Sequence, residues 1–265
     1  MKHILKIITP AISFILIIAG CTKNSFNLKE TNFIDGQASL KINFFSSYKS
    51  NPAYQIKIDG IRVSSNLTYA TPFPGGGLNT GGGSYADYLA VSPGSRKVTI
   101  SLPNVGTNND SVEVASATVD LTANKTYSLY FADTSANTVS ILAEDDLSTP
   151  DSGFIKYRFI NLMPDLAGGI DLYFGTGYTS TTSTKVAGPI LYKEMSTYFT
   201  VPLNAGTSWS IRPAGAAATT TAIATYASSS SVINQRVYSI STRGYNSITT
   251  TTDVRRRLFS FIYNR

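Results

Sequence analysis

Two distant stretches of the 265-residue sequence repeat one pattern, and this repetition constrains the fold more than any other feature. Residues 38–60 and 153–175 each contain an alternating segment, a loop with a proline, a second alternating segment and a glycine. Alternation of apolar and polar residues with a period of two is typical of a β-strand with one buried face. The alternating apolar residues are Leu40, Ile42, Phe44, Tyr54, Ile56 and Ile58, then Ile155, Tyr157, Phe159, Ile170, Leu172 and Phe174. The pattern predicts two copies of one β-rich unit.

The rest of the sequence after residue 38 favours short strands over helices. Gly, Pro and Asn turns separate further alternating segments, and no apolar stripe occurs at helical spacing. Two β-rich copies of about a hundred residues each suit immunoglobulin-like sandwiches. We therefore predict an all-β protein with two tandem immunoglobulin-like β-sandwich domains at residues 38–146 and 153–265. A linker at residues 147–152 joins them.

The N-terminal segment indicates export from the cytoplasm. Lys2, His3 and Lys6 precede an apolar stretch at residues 7–19, and small residues then lead to Cys21. This order is typical of a cleaved signal peptide. The apolar stretch is too short to predict a lasting transmembrane helix.

The residues around Cys21, which read IAGC at positions 18–21, resemble the cleavage site of bacterial lipoproteins. In that class the cysteine is lipidated on its thiol and becomes the new N-terminus. The resemblance implies that residues 1–20 are a signal peptide, that Cys21 is the lipid-attachment site, and that residues 21–37 are a lipid-anchored tether. It also implies a protein bound to the outer membrane through its lipid, at the cell surface or the periplasmic face. A plain signal peptide with an incidental cysteine is the alternative.

Composition excludes several classes of enzyme. Cys21 is the only cysteine and His3 the only histidine. After lipidation and signal removal the chain has no free thiol and no imidazole, which excludes Ser-His-Asp and Cys-His catalysis and the usual Cys/His zinc sites. The net charge of +6 is small for the length, and Arg255–Arg257 is the only basic run, so nucleic acid is not a predicted partner. We therefore predict no enzymatic activity and no cofactor.

Aromatic residues concentrate around the glycine-rich segment at residues 72–83. Exposed aromatic side chains on loops often bind carbohydrate, so we predict a ligand-binding surface here, with packing in a core as the alternative. The segment lacks the lysine and the following helix of a phosphate-binding loop, so the sequence predicts a flexible hairpin or an end loop of a sandwich here. The candidate ligand-binding residues are Tyr69, Phe73, Tyr85 and Tyr88.

Two sets of carboxylates are further candidates. Glu144, Asp145 and Asp146 could ligate calcium, because hard cations favour clustered carboxylates, and a solvated linker is the alternative interpretation. Asp165 and Asp171 could form a glycosidase pair. A turn cap at Asp165 and an exposed strand position at Asp171 explain this pair without catalysis.

The second copy contains the runs FINLMPD at residues 159–165 and GIDLYF at residues 169–174, and residues 54–60 (YQIKIDG) supply the matching strand of the first copy. Together these segments resemble the family of domain of unknown function 4397 (DUF4397). The resemblance implies secreted or lipid-anchored bacterial proteins built from tandem sandwiches. It implies no activity and offers no catalytic residues.

The sequence leaves three functions open. The first is a non-enzymatic binding or adhesion protein of the cell envelope, with a glycan or an envelope protein as its partner. The second is a structural subunit of an envelope assembly whose sheets pair edge to edge. The third is a glycan hydrolase that uses carboxylates alone. The missing imidazole and thiol favour the first function over the third.

Overall fold

The computed structural model describes residues 35–104, 110–217 and 219–265. These residues form strands, two 3₁₀ turns at Ser135–Asn137 and Ser229–Ser231, and no α-helix, which confirms the all-β prediction. Within them there is no helix whose length and apolar character would let it span a membrane. The predicted signal peptide and Cys21 lie outside the described residues. The strands are β1 Ala38–Phe44, β2 Gln55–Ile58, β3 Ile61–Arg62, β4 Pro72–Phe73, β5 Gly77–Leu78, β6 Leu89–Val91, β7 Gly94–Pro103, β8 Asp110–Leu121, β9 Thr126–Ala132, β10 Val139–Glu144, β11 Phe154–Ile160, β12 Ile170–Gly175, β13 Ser183–Ile190, β14 Phe199–Pro202, β15 Ser208–Pro213, β16 Ala224–Ala227, β17 Val237–Arg243 and β18 Leu258–Tyr263.

The first half of the chain forms two sheets that share one apolar core. One sheet has the order β10-β9-β1-β4, and β6 also pairs with β1. The other sheet has the order β3-β2-β7-β8. Leu40, Ile42 and Phe44 of β1 are buried in the core together with Val98 and Ile100 of β7. Because successive side chains of a strand point to opposite faces, the alternation in the sequence places one face of β1 in this core.

The second half of the chain has a matching strand order. Its sheets are β14-β11-β17-β18-β5 and β13-β12-β15-β16, and β11 runs parallel to β17 as β1 runs parallel to β9. Trp209 lies in the core between these sheets, with its ring centroid 4.3 Å from that of Phe174 and 4.8 Å from that of Tyr157. Trp209 Nε1 donates a hydrogen bond of 3.1 Å to Ser231 Oγ, so the indole nitrogen is satisfied inside the core.

The two sheets that contain β1 and β11 also pack against each other, and we call them the inner sheets. A third apolar cluster lies between them, with Phe45, Tyr130 and Ala132 from the first half and Ile160 and Ile262 from the second. Both faces of the inner sheets are therefore buried. The polar residues that alternate with the core residues lie on this side and are buried rather than solvated. They include Lys41, Asn43, Ser128, Arg158, Ser239 and Ser241.

A strand of the first half joins a sheet of the second half. Gly77 and Leu78 form β5, which pairs with Phe261 and Ile262 of β18. A Cβ atom on Gly77 would lie 1.8 Å from the carbonyl oxygen of Phe261, so glycine is required for this close approach. The glycine-rich segment, which the sequence suggests is a flexible hairpin or end loop, is instead bound to the second half. Residues 35–265 belong to one compact unit.

We predict that Gly77→Ala weakens the attachment of β5 to β18. The added methyl group would overlap the Phe261 carbonyl oxygen, and such overpacking costs about 1–3 kcal/mol of unfolding free energy. Urea denaturation followed by tyrosine and tryptophan fluorescence measures this loss. Ser95→Ala, at an exposed position of β7, is the control and should change stability by less than about 0.5 kcal/mol. Equal midpoints for Gly77→Ala and the unmodified protein would contradict the described pairing.

Candidate functional site

The structure places the four aromatic candidates in different environments. Tyr85 is 69% exposed. Phe73 packs against the core of the first half, and Tyr69 packs against the cluster between the inner sheets, 5.0 Å from the guanidinium of Arg243. Tyr88 extends between the inner sheets, where its hydroxyl is hydrogen-bonded. Of the four, only Tyr85 is largely exposed, so they do not form one exposed aromatic surface.

The three carboxylates at residues 144–146 bind three different cations of the protein itself. The pairs are Glu144 with Lys125 at 2.6 Å, Asp145 with Arg158, and Asp146 with Lys156 at 2.9 Å. Hydrogen bonds from Ser148 and Lys156 lower the pKa of Asp146 to about 2. In the part of the chain that the structure describes, no group of three or more His, Cys, Asp or Glu residues could hold a metal ion. The carboxylates therefore act as separate ion-pair partners rather than as one ligand set.

Asp165 and Asp171 each have a structural partner. Asp165 accepts hydrogen bonds from the backbone N–H groups of residues 246 and 247, at 2.6 and 2.8 Å, so it caps a loop. Asp171 is only 1% exposed, and the expectation of an exposed strand position is wrong. Its Oδ2 accepts from the Gly215 N–H at 3.0 Å and lies 3.4 Å from Lys185 Nζ. Asp171 is buried because its face of β12 is covered by the loop that contains Gly215.

A buried charged cluster lies between the inner sheets. We call it the charged seam, and its residues are Lys41, Tyr88, Asp145, Arg158 and Asn264. Asp145 pairs with the guanidinium of Arg158 and also accepts from Tyr88 Oη at 2.9 Å and from Ser128 Oγ at 2.6 Å. Arg158 Nη1 donates to the carbonyl oxygen of Glu144 at 2.8 Å. Because buried charges are costly unless they are paired and hydrogen-bonded, these contacts are what allow the seam to be buried.

Lys41 is the cation of the seam without a paired carboxylate in the described residues. It is fully buried, its Nζ donates to the carbonyl oxygen of Tyr263, and the same atom lies 4.1 Å from the centroid of the Tyr88 ring. Burial lowers the pKa of Lys41 to about 8, although the charges of Asp145 and Asp87 oppose this shift. The amine of Lys41 is therefore substantially neutral at mildly alkaline pH.

Tyr88 joins the amide and the carboxylate of the seam. Its hydroxyl donates to Asp145 and accepts from Asn264 Nδ2 at 2.9 Å. Burial and the neighbouring charge of Asp145 raise the pKa of Tyr88, so the hydroxyl keeps its proton. Asn264 is 1% exposed, and its Oδ1 has no hydrogen-bond partner among the described residues. The seam thus brings an amine, a carboxamide and a carboxylate together around one phenol ring.

A different kind of site lies on the second half. Two open cavities of about 480 and 490 Å³ share Ser180 as a lining residue, and we call them the hydroxyl grooves. Phe174, Val186 and Val201 form the apolar part of the first groove. Hydroxyl side chains line most of the remainder: Thr176, Ser180, Thr181, Thr182, Ser183, Thr184 and Thr200 in the first, and Tyr178, Thr179, Ser180, Thr219, Thr220, Thr221 and Thr225 in the second.

Sequence reasoning did not find the hydroxyl grooves. The available signal was the Ser- and Thr-rich composition of residues 179–184 and 216–231, which by itself indicates only loops. Antiparallel pairing of β12 with both β13 and β15 brings the chain segments that carry these loops to the same sheet. The site therefore depends on strand order, which composition does not give.

Residues 41–173 match the family described as Domain of unknown function (DUF4397). The match covers half of the sequence. The chain belongs to this family. In this DUF4397 protein the matched region runs from β1 to β12, so it contains most of the first half and the FINLMPD run of the second. No curated protein matches the sequence.

We predict that Asp145→Asn strongly destabilises the protein. The substitution leaves the buried Arg158 without a counter-charge, which costs about 3–5 kcal/mol. Guanidinium denaturation measures the change in unfolding free energy. The neighbouring Glu144→Gln is the matched control, because its pair with Lys125 is exposed and should contribute less than about 1 kcal/mol. A loss as small for Asp145→Asn as for Glu144→Gln would show that the charged seam does not stabilise the contact between the inner sheets.

Proposed function

We propose that this DUF4397 protein is a non-enzymatic, lipid-anchored protein of the bacterial cell envelope that binds a neutral glycan in the hydroxyl grooves. The observation that carries the proposal is the pair of adjoining cavities that share Ser180 and are lined mainly by Ser and Thr. Cavities of this size suit a small ligand or a short stretch of a chain. Each hydroxyl can both donate and accept, as the hydroxyls of a sugar can.

The walls of the first groove fit the two kinds of surface that a sugar presents. Thr184 and Thr200 are exposed and offer hydroxyls, while the half-buried Val186 offers apolar contact for the C–H face of a sugar ring. No charged side chain lines this groove in the described part of the chain. A neutral polyhydroxylated ligand therefore matches it better than an ionic one.

The second groove is held in shape by Arg212. This residue is the only charged one that lines either groove in the described residues, and it is 1% exposed. Its guanidinium donates to the carbonyl oxygens of Thr220, at 2.9 Å, and Tyr178, and to Ser210 Oγ at 3.1 Å. Because these bonds fix the loops on both sides of the groove, Arg212 acts as an internal brace. A preordered groove loses less conformational freedom when a ligand binds.

We infer that the two halves are tandem copies of an immunoglobulin-like sandwich. The inference is supported by the repeated sequence pattern of residues 38–60 and 153–175 and by the matching strand orders of the halves. On this interpretation the second copy carries the glycan site. The loops that line these grooves are rich in Ser and Thr, at residues 179–184 and 216–231.

We predict that removing hydroxyls from the first groove weakens glycan binding. Thr184→Val and Thr200→Val keep the shape and the β-propensity of the residue but remove a hydrogen-bonding group, so each should weaken binding about fivefold. A glycan array with the full chain identifies the ligand, and titration calorimetry then measures each variant. Thr118→Val, at an exposed position of β8, is the matched control and should bind normally. Unchanged affinity in the double variant, or binding of acidic glycans alone, would contradict the proposed site.

We further predict that Cys21 attaches the protein to the membrane. The run IAGC at residues 18–21 supports lipidation, and two or more acyl chains give stable attachment where one does not. Cys21→Ala should move the protein from the membrane fraction to the soluble fraction and abolish labelling by an alkyne fatty acid. A labelled, membrane-bound Cys21→Ala protein would exclude anchoring through this residue.

A further inference from the structure

We propose that the charged seam forms a covalent cross-link: an amide bond between the side chains of Lys41 and Asn264, made by the protein itself with release of ammonia. Such a bond joins the first strand of the described fold to the residue that follows its last strand, β18. It is a modification site and does not depend on the glycan groove.

Both reacting side chains contact Tyr88, and Lys41 also contacts the residue that precedes Asn264. Lys41 Nζ donates to the carbonyl oxygen of Tyr263, the residue directly before Asn264. The same Nζ lies 4.1 Å from the centroid of the Tyr88 ring, and Asn264 Nδ2 donates to the hydroxyl of that ring at 2.9 Å. The amine and the carboxamide are therefore held against the same tyrosine, although 222 residues separate Lys41 from Tyr263 in the sequence.

The environment favours nucleophilic attack by the amine. Lys41 is 0% exposed and makes no ion pair with a carboxylate of the described residues, although the charges of Asp145 and Asp87 still favour its protonated form. Burial lowers the pKa of Lys41 to about 8, which supplies the neutral amine that such an attack needs. The carboxamide is equally secluded: Asn264 is 1% exposed, and its Oδ1 is unpartnered among the described residues.

The step balances without an external reagent. The lone pair of neutral Lys41 Nζ attacks Asn264 Cγ, a Cγ–Nζ bond forms, the Cγ–Nδ2 bond breaks, and Nδ2 leaves as ammonia. One proton has to pass from Nζ to Nδ2. This proton passes within the tetrahedral intermediate, in which both nitrogens are bonded to Cγ. Tyr88 Oη accepts from Nδ2 at 2.9 Å and donates to Asp145 Oδ2 at 2.9 Å, so it positions the leaving nitrogen and keeps its own proton.

The second half contains a natural comparison for Lys41. Lys156 occupies the matching position of β11 and is also buried, but its Nζ lies 2.9 Å from Asp146 Oδ2 and 2.7 Å from Ser148 Oγ. Neither this carboxylate nor this hydroxyl carries an amide nitrogen that could leave as ammonia. The contacts of the two amines therefore favour formation of the cross-link at Lys41 and not at Lys156.

Peptide mass mapping of the purified full-length protein tests the proposal. The protein is denatured and digested with trypsin, which does not cut after a modified lysine. We expect the peptide of residues 258–265 to be attached to the peptide of residues 30–49, at the sum of their masses less about 17 Da, the mass of ammonia. Fragmentation should place the bond between Lys41 and Asn264. Lys41→Arg should abolish the linked pair, whereas Lys156→Arg should retain it.

The protein without substitutions decides the outcome by itself, so the test remains valid even if a variant does not fold. Recovery of residues 258–265 as a free peptide at its sequence mass, from protein with a cooperative unfolding transition, would overturn the proposal. A linked pair that joins residues 258–265 to a lysine other than Lys41 would also overturn it. Glycan binding is measured separately, and its failure would leave this result unchanged.

Discussion

The structure depends on one buried ion pair, between Asp145 at the end of β10 and Arg158 on β11. The two residues belong to different halves, yet the pair lies between the inner sheets, where both side chains are almost fully buried. Burial of a charge in this environment is tolerated only when its counter-charge and its hydrogen bonds are present. Ser128, Tyr88 and the carbonyl oxygen of Glu144 supply those bonds. The requirement fixes how the inner sheets face each other and therefore how β5 can meet β18.

Two of the buried arginines of the second half, Arg158 and Arg212, differ in role because they differ in partner. Arg158 faces a carboxylate, so it couples the halves through charge. Arg212 faces backbone carbonyls and a serine hydroxyl, so it fastens loops without attracting a counter-ion. The ion pair of Arg158 with Asp145 holds the two halves together. The contacts of Arg212 leave the lining of the hydroxyl grooves to neutral hydroxyls, which is the basis for the proposed preference for a neutral glycan.

Much of the fold follows from the sequence, because a period of two in apolar residues specifies a strand and its buried face. The residues Leu40, Ile42 and Phe44 predict one face of β1 correctly. The pattern does not predict which residues cover the other face of the strand. Lys41 and Arg158 alternate with core residues as solvated residues do, and only the packing of the inner sheets shows that they are buried. The exposed position predicted for Asp171 is wrong for the same reason, since a loop distant in sequence covers this residue.

The candidate site was less predictable than the fold. The aromatic residues near the glycine-rich segment looked like one surface because they are close in sequence, but Phe73 and Tyr88 enter two different interiors. The second hydroxyl groove is formed by segments more than thirty residues apart, residues 178–180 and 219–225, which the strands of one sheet bring together. Residue types alone predict neither the buried positions of the aromatic side chains nor the lining of the hydroxyl grooves. Both depend on the order of the strands.

The pairing of β5 with β18 has a consequence for how the chain becomes folded. Gly77 and Leu78 are made early, but their partners, Phe261 and Ile262, come from a segment made nearly two hundred residues later. Contacts of such long sequence separation form slowly, because a large loop must close before they form. During synthesis β5 therefore remains unpaired until β18 has been made. The pairing of β5 with β18 is a late step of folding.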